Sequence, residues 1–138
     1  MPTFKLDPQL ENDTFEICNL EICTCRLMND NRYPWIILIP MQKNLVELID
    51  LSKKDRIKVW EEIACVSETL QTIYQPHKLN VAALGNQTRQ LHIHIIARKQ
   101  TDFAWPQPVW GVGKTKNYAE QQKSVALNTL KGALHARN

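Results

Sequence analysis

The run Trp35-Ile36-Ile37-Leu38-Ile39-Pro40 is the strongest constraint on the fold of this chain. Successive side chains of an extended strand point to opposite faces. A strand-length run with no polar alternation therefore reads as a strand covered on both sides. The residues just before it fit that start. Asn29-Asp30-Asn31-Arg32 is a turn by composition, and Tyr33, preceding Pro34, is pushed toward extended geometry.

The remaining elements can be read around this strand. Residues 6–13 predict a short helix, with Asp7 as cap and Pro8 in the first turn. Thr14–Cys18 and Glu21–Met28 predict two extended segments broken near Asn19-Leu20. A long helix opens at Ser52, with Asp55 favouring its positive end, and Pro76 stops it. Its expected core stripe is Ile57, Trp60, Ile63, Ala64, Ser67, Leu70, Ile73 and Tyr74. Leu79–Leu84 and Gln90–Arg98 predict a two-strand hairpin, with Gly85 supplying backbone freedom at the bend. Prolines and aromatics exclude regular helix over 103–111, and an amphipathic helix follows over about 118–136, through Val125, Ala126, Leu130, Ala133 and Leu134. Antiparallel strands with separate helices make an α+β protein.

A chain of 138 residues can bury a core without cross-links and is one domain's worth, residues 1–138. Its net charge of +3 argues for no nucleic-acid partner, since the late Lys114, Lys116, Lys123, Lys131 and Arg137 are spaced like the wet face of a helix. No apolar run approaches membrane-spanning length, and the N-terminus lacks the apolar core of a signal peptide. Cys18, Cys23, Cys25 and Cys65 form no Cys-x-x-Cys pair, so reduced thiols in a cytoplasmic protein are the simplest reading. Cys23 and Cys25 are read as small buried apolar residues.

The chemistry concentrates in Gln90-Leu91-His92-Ile93-His94-Ile95-Ile96. Alternation places Gln90, His92 and His94 on one face and Leu91, Ile93 and Ile95 on the other. A neutral imidazole whose Nδ1–H is held by a carbonyl presents Nε2 as an aimed lone pair, able to attack phosphorus. Just ahead, Gly85-Asn86-Gln87-Thr88 brings backbone N–H, amide and hydroxyl groups to where an attacked phosphate would lie. Those are the parts of a nucleophilic phosphoryl or nucleotidyl transfer, which in principle demands no cofactor or metal.

The same stretch resembles the histidine-triad (HIT) motif, histidine–apolar–histidine–apolar–histidine–apolar–apolar, with Gln90 in the first histidine position. The surroundings are similar too: Leu27-Met28-Asn29-Asp30 before a turn and an apolar strand, Asn80 and Gly85 ahead of the motif, and Trp105-Pro106 after it. The resemblance spans roughly residues 14–111 and is nearest to bacterial members resembling diadenosine-tetraphosphate hydrolases. It implies an antiparallel sheet of about five strands with one long central helix and a C-terminal helix, usually as a homodimer. It also implies cleavage of purine nucleotide derivatives, phosphoramidates or dinucleoside polyphosphates, at the α-phosphorus through a nucleotidyl-histidine. By the same resemblance His92 is the nucleophile, and His94 hydrogen-bonds phosphate or the bridging oxygen. Gln90 orients His92 through its main-chain carbonyl. Asn29 and Asp30 match the ribose-contacting region, Asn80 lies in the nucleotide site, and Gly85, Asn86, Gln87 and Thr88 match the phosphate-contacting segment. Gln87 departs from the serine or threonine of many active relatives, and Thr88 stands one position late.

Blander readings compete. His92 and His94 alone are also compatible with satisfied sheet histidines, or with a metal site completed by His77, His135 or a cysteine. Asn29-Asp30 suits a plain turn. Trp105 and Trp110 suit packing or dimer contact. Gln90 and Gln87 motivate a nucleotide-binding or partner-binding module with little catalysis.

Overall fold

In the computed structural model, which describes residues 3–137, the Trp35–Pro40 run is strand β3, and each of its residues is buried. The outermost residues of the expected domain, Met1, Pro2 and Asn138, lie outside the described residues. A short helix α1 (Pro8–Asp13) comes first. Strands β1 (Thr14–Asn19) and β2 (Cys23–Met28) follow, and β4 (Lys78–Ala82) and β5 (Ile93–Arg98) complete an antiparallel sheet of order β1-β2-β3-β5-β4. β3 is thus the central strand. Its Ile36 and Leu38 enter a core beneath the long helix α2 (Lys53–Tyr74) and the C-terminal helix α3 (Glu120–Arg137). Its Trp35, Ile37 and Ile39 enter a second cluster with Leu10, Ala104 and Val109. The expectation of a strand covered on both faces holds, and so does the α+β class.

Helix α2 begins and ends where the local chemistry requires. Ser52 Oγ accepts from the Asp55 N–H at 3.1 Å, and Gln75 closes the helix in the left-handed region (φ 48°) just before Pro76. Its buried face is Val59, Ile63, Val66 and Leu70, joined by Glu62 and Thr69. The expected stripe is therefore corrected at its start, where Ile57 and Trp60 are 56% and 61% exposed. The first turns of α2 overhang the sheet beside edge strand β4. There Trp60 borders an apolar surface groove with Leu48, Val59, Ile63 and Val81. Glu62 is buried because the chain needs it there: its carboxylate accepts the N–H groups of Ile22 and Cys23 at 2.9 and 2.8 Å, tying helix to sheet where β2 begins. Cys23 and Cys25 are fully buried, as expected, and all four cysteines are free.

The connection between β4 and β5 is longer than the sequence suggests. Strand β5 starts at Ile93 rather than Gln90, and β4 stops at Ala82 rather than Leu84. The intervening backbone does not continue the β4 ladder. Leu91 N–H instead donates to the Leu45 carbonyl at 2.9 Å, so residues 83–92 form a broad loop instead of a tight bend. Alternation nonetheless persists through it, with Leu91, Ile93 and Ile95 in the helix-side core. Among the described residues no helix is long and apolar enough to cross a membrane.

Candidate active site

The broad loop and the sheet face opposite α2 enclose a cleft of about 520 Å³. His94, on β5, stands directly beside Ile37 of β3 in the ladder, and the sheet places Trp35, Ile37 and Met28 along the floor. The Leu84–Thr88 loop forms one wall, helix α1 contributes Gln9, Leu10 and Asp13, and Trp110 and Gly111 reach in from the loop after β5. Gly85 adopts φ +72°, and a Cβ there would meet the Thr88 carbonyl at 3.3 Å, so glycine fits this turn where a side chain would be strained.

His92 and His94 sit at the base of this cleft, with ring centroids 4.9 Å apart. Both are largely buried. The His92 Nδ1–H donates to the main-chain carbonyl of Gln90 at 2.7 Å. A carbonyl can only accept, so the proton resides on Nδ1 and the lone pair on Nε2. In His94 the assignment is reversed. The Trp35 Nε1–H donates to His94 Nδ1 at 3.0 Å, which leaves a neutral His94 with an N–H at Nε2. Burial, and then the neighbouring His92, lower the His94 pKa to about 3. Tilted and edge-on contacts with Trp35 and Trp110, at 5.7 and 5.0 Å, frame the ring. The end of the broad loop thus offers a nitrogen lone pair at His92 and β5, two residues on, a neutral N–H donor at His94.

The expected site residues divide into two groups. Gly85, Asn86, Gln87, Thr88, His92 and His94 come together around the cleft. Asn29, Asp30 and Asn80 do not line it, and each has another employment. Asp30 is fully buried and ion-paired with Arg32 at 2.8 Å, while Arg32 also donates to the Val112 carbonyl. Asn29 Oδ1 accepts from the Tyr118 N–H at 2.9 Å. These residues therefore fasten the β2–β3 turn to the segment leading into α3. Asn80 Oδ1 accepts from Arg98, which is itself buried against Asp102. The Gln90 side chain is likewise engaged away from the paired imidazoles: its Oε1 accepts the Asp7 N–H and its Nε2 donates to the Lys5 carbonyl, each at 2.9 Å.

Gln9, Leu10, Asp13, Met28, Trp35 and Trp110 were not among the expected site residues. Trp35 and Ile37 alternate on β3 toward the face that His94 takes on β5, a signal visible once those strands are paired. The Asp7-Pro8 pattern announces α1 as a helix, but nothing local shows that it lines the cleft, which it reaches only through tertiary contact. Among the described residues no three His, Cys, Asp or Glu side chains gather as a metal-binding set. His77, one suggested third ligand, packs edge-on against Trp105 instead.

A model of the HIT domain family matches residues 9–101. The chain belongs to the histidine triad family. This HIT protein is 38% identical to a histidine triad protein of Bradyrhizobium japonicum, with a TM-score of 0.94 over 96% of this chain and 99% of the other. It is similarly close to a HIT protein of Sinorhizobium meliloti (38% identity, TM-score 0.91, 94% and 96% covered). A histidine triad protein of Marinobacter aquaeolei gives 36% identity and a TM-score of 0.95 over 98% of both chains. Among curated proteins none matches. The five-strand sheet with its long central and C-terminal helices is the HIT architecture.

Proposed function

We propose that this HIT protein is a nucleotide hydrolase or nucleotidyl transferase acting on the α-phosphate of a purine nucleotide derivative, a phosphoramidate or a dinucleoside polyphosphate. The observation that carries the reading is the 2.7 Å bond from His92 Nδ1–H to the Gln90 carbonyl, which gives Nε2 the lone pair at the base of the cleft. In the first step Nε2 attacks phosphorus, an N–P bond forms, and the P–N or P–O bond to the leaving group breaks. In the second, water attacks the phosphorus of the nucleotidyl-His92 and an O–P bond forms. The N–P bond breaks with its electron pair returning to Nε2, and the proton given up by water passes to solvent. The His94 Nε2–H donates to a phosphate oxygen throughout, and backbone N–H groups of Gly85–Thr88 with the Asn86, Gln87 and Thr88 side chains cradle the remaining charge. Gln90 acts through its carbonyl, which turns and orients the nucleophile's ring.

Replacing His92 by alanine is expected to abolish turnover of adenosine phosphoramidate and of diadenosine tetraphosphate while AMP binding, measured by calorimetry, persists. Turnover that survives His92→Ala refutes the nucleophile assignment. A second reading, a nucleotide-binding module with little catalysis, draws support from the engaged Gln90 side chain, which leaves no titratable group at the first triad position to relay protons. Binding of AMP by the wild type without turnover favours it.

We also propose a homodimer. Exposed Trp60, Val81 and Leu48 surround the unpaired edge of β4, a combination suited to pairing with a second copy. Free cysteines suit a reducing, cytoplasmic setting.

A further inference from the structure

The geometry points to α1, latched in place by the Gln90 side chain, as the wall that reads the sugar, with the Asp13 carboxylate accepting the vicinal ribose hydroxyls of the bound nucleotide. This assignment rests on the nucleotide reading above and extends it to residues that reading leaves idle.

The first argument is electrostatic. No lysine or arginine lines the cleft, and Asp13 is the one carboxylate on its walls among the described residues. A carboxylate repels a phosphate and cannot donate a hydrogen bond, so in a site for a phosphorylated ligand it must meet the ligand's neutral donors. In a nucleotide those donors are the sugar hydroxyls and an exocyclic amino group. Vicinal hydroxyls match the two oxygens of one carboxylate.

The second argument is placement. Asp13 precedes β1, and its carbonyl accepts the Asn29 N–H just past β2, on the β1–β2 side of the sheet. The loop that faces phosphate follows β4, at the other edge. With His94 on β5, two strands from β2, the floor between spans roughly 10 Å at the usual strand spacing. Apolar Met28, Trp35 and Ile37 fill that floor, so a ligand with its phosphate over His92 carries its nucleoside toward α1. Asn29 and Asp30, the residues the HIT resemblance offers for ribose, are tied to Tyr118 and Arg32 and leave this end of the cleft to Asp13.

The third argument is that the wall is built. The Gln9 amide donates to both Asp13 carboxylate oxygens at 2.9 Å, fixing the carboxylate on the cleft side of the helix. Asp7 caps α1 through the Gln9 N–H. Gln90 then holds the segment before the helix from both sides, accepting from Asp7 and donating to Lys5. A primary amide makes this two-way clasp with one planar group. Gln90 is in this view a positioning residue whose side chain governs sugar recognition while its carbonyl serves His92.

The test is calorimetric titration of wild type, Asp13→Ala and Gln90→Ala with AMP, with 2′,3′-dideoxy-AMP and with IMP. The wild type is expected to bind AMP roughly 10- to 100-fold more tightly than the dideoxy analogue, the range for losing hydrogen bonds to a charged acceptor. Asp13→Ala should erase that ratio by weakening AMP alone, and Gln90→Ala should shrink it in the same way. Gln90→Glu, which keeps the acceptor for Asp7 but not the donor to Lys5, should fall between. Thermal melts check that each variant is folded, and a variant that fails to fold is replaced by Asp13→Asn, which should reduce the ratio because it halves the acceptor set. Equal wild-type affinity for AMP and its dideoxy form overturns this assignment while leaving the nucleotide reading intact. So does an Asp13→Ala effect that tracks AMP against IMP, which would put the base amino group at Asp13. A wild type that binds none of the three overturns both.

Discussion

His94 carries the clearest consequence at the scale of single residues. Trp35 donates to its Nδ1 and burial lowers its pKa to about 3, so the folded protein keeps this ring neutral where an unfolded chain would protonate it. Between the unfolded value of about 6.5 and the folded value the unfolded chain holds the extra proton. Stability from this group is therefore complete above pH 6.5 and is lost as pH falls, by about 1.4 kcal/mol per unit. Urea unfolding at pH 7 and pH 5 should show the wild type losing about 2 kcal/mol more than His94→Gln, whose amide can still accept from Trp35. Identical pH dependence in the two proteins contradicts the assignment. Alternation alone made His92 and His94 legible as a pair on one face. What it could not show is the partner of each nitrogen, because Trp35 meets His94 only through the β3–β5 register. Nor could it show Gln90 reaching residues more than eighty positions earlier.

At the scale of elements, Glu62 shows how a charged side chain becomes part of a core. Its two oxygens accept the Ile22 and Cys23 N–H groups at the start of β2. Glu62→Ala strands both donors and is expected to cost about 2–4 kcal/mol in urea unfolding. Glu62→Gln, which keeps one acceptor, should cost about half of that. Most elements were readable from caps, prolines and periodicity: Ser52, Pro76 and the apolar run of β3 each mark an observed boundary. The departures come from tertiary context. Residues 83–92 leave the β4 ladder because Leu45 offers Leu91 N–H a partner, and the start of the α2 stripe rotates outward because the sheet ends beneath it at β4.

For the molecule as a whole, the exposed rim of Leu48, Trp60 and Val81 along an unpaired strand edge bears on assembly. Sedimentation velocity is expected to show a dimer, and Val81→Lys, which sets a charge on that edge, should shift it toward monomer. A wild type that sediments as a monomer at micromolar concentration refutes the pairing. Trp60 was expected in the core on helical spacing alone, and that spacing cannot distinguish a face covered by the same chain from one awaiting another.

The ladder between β3 and β5 has one more implication. Slip it by a single residue and the two imidazoles would turn under α2 while Ile93 and Ile95 surfaced in the cleft. A misaligned sheet would then forfeit its buried layer and the facing pair of imidazoles together. So if the cleft takes the nucleotide proposed above, the fraction of a refolded preparation that binds it is expected to equal the fraction whose strands found their true partners.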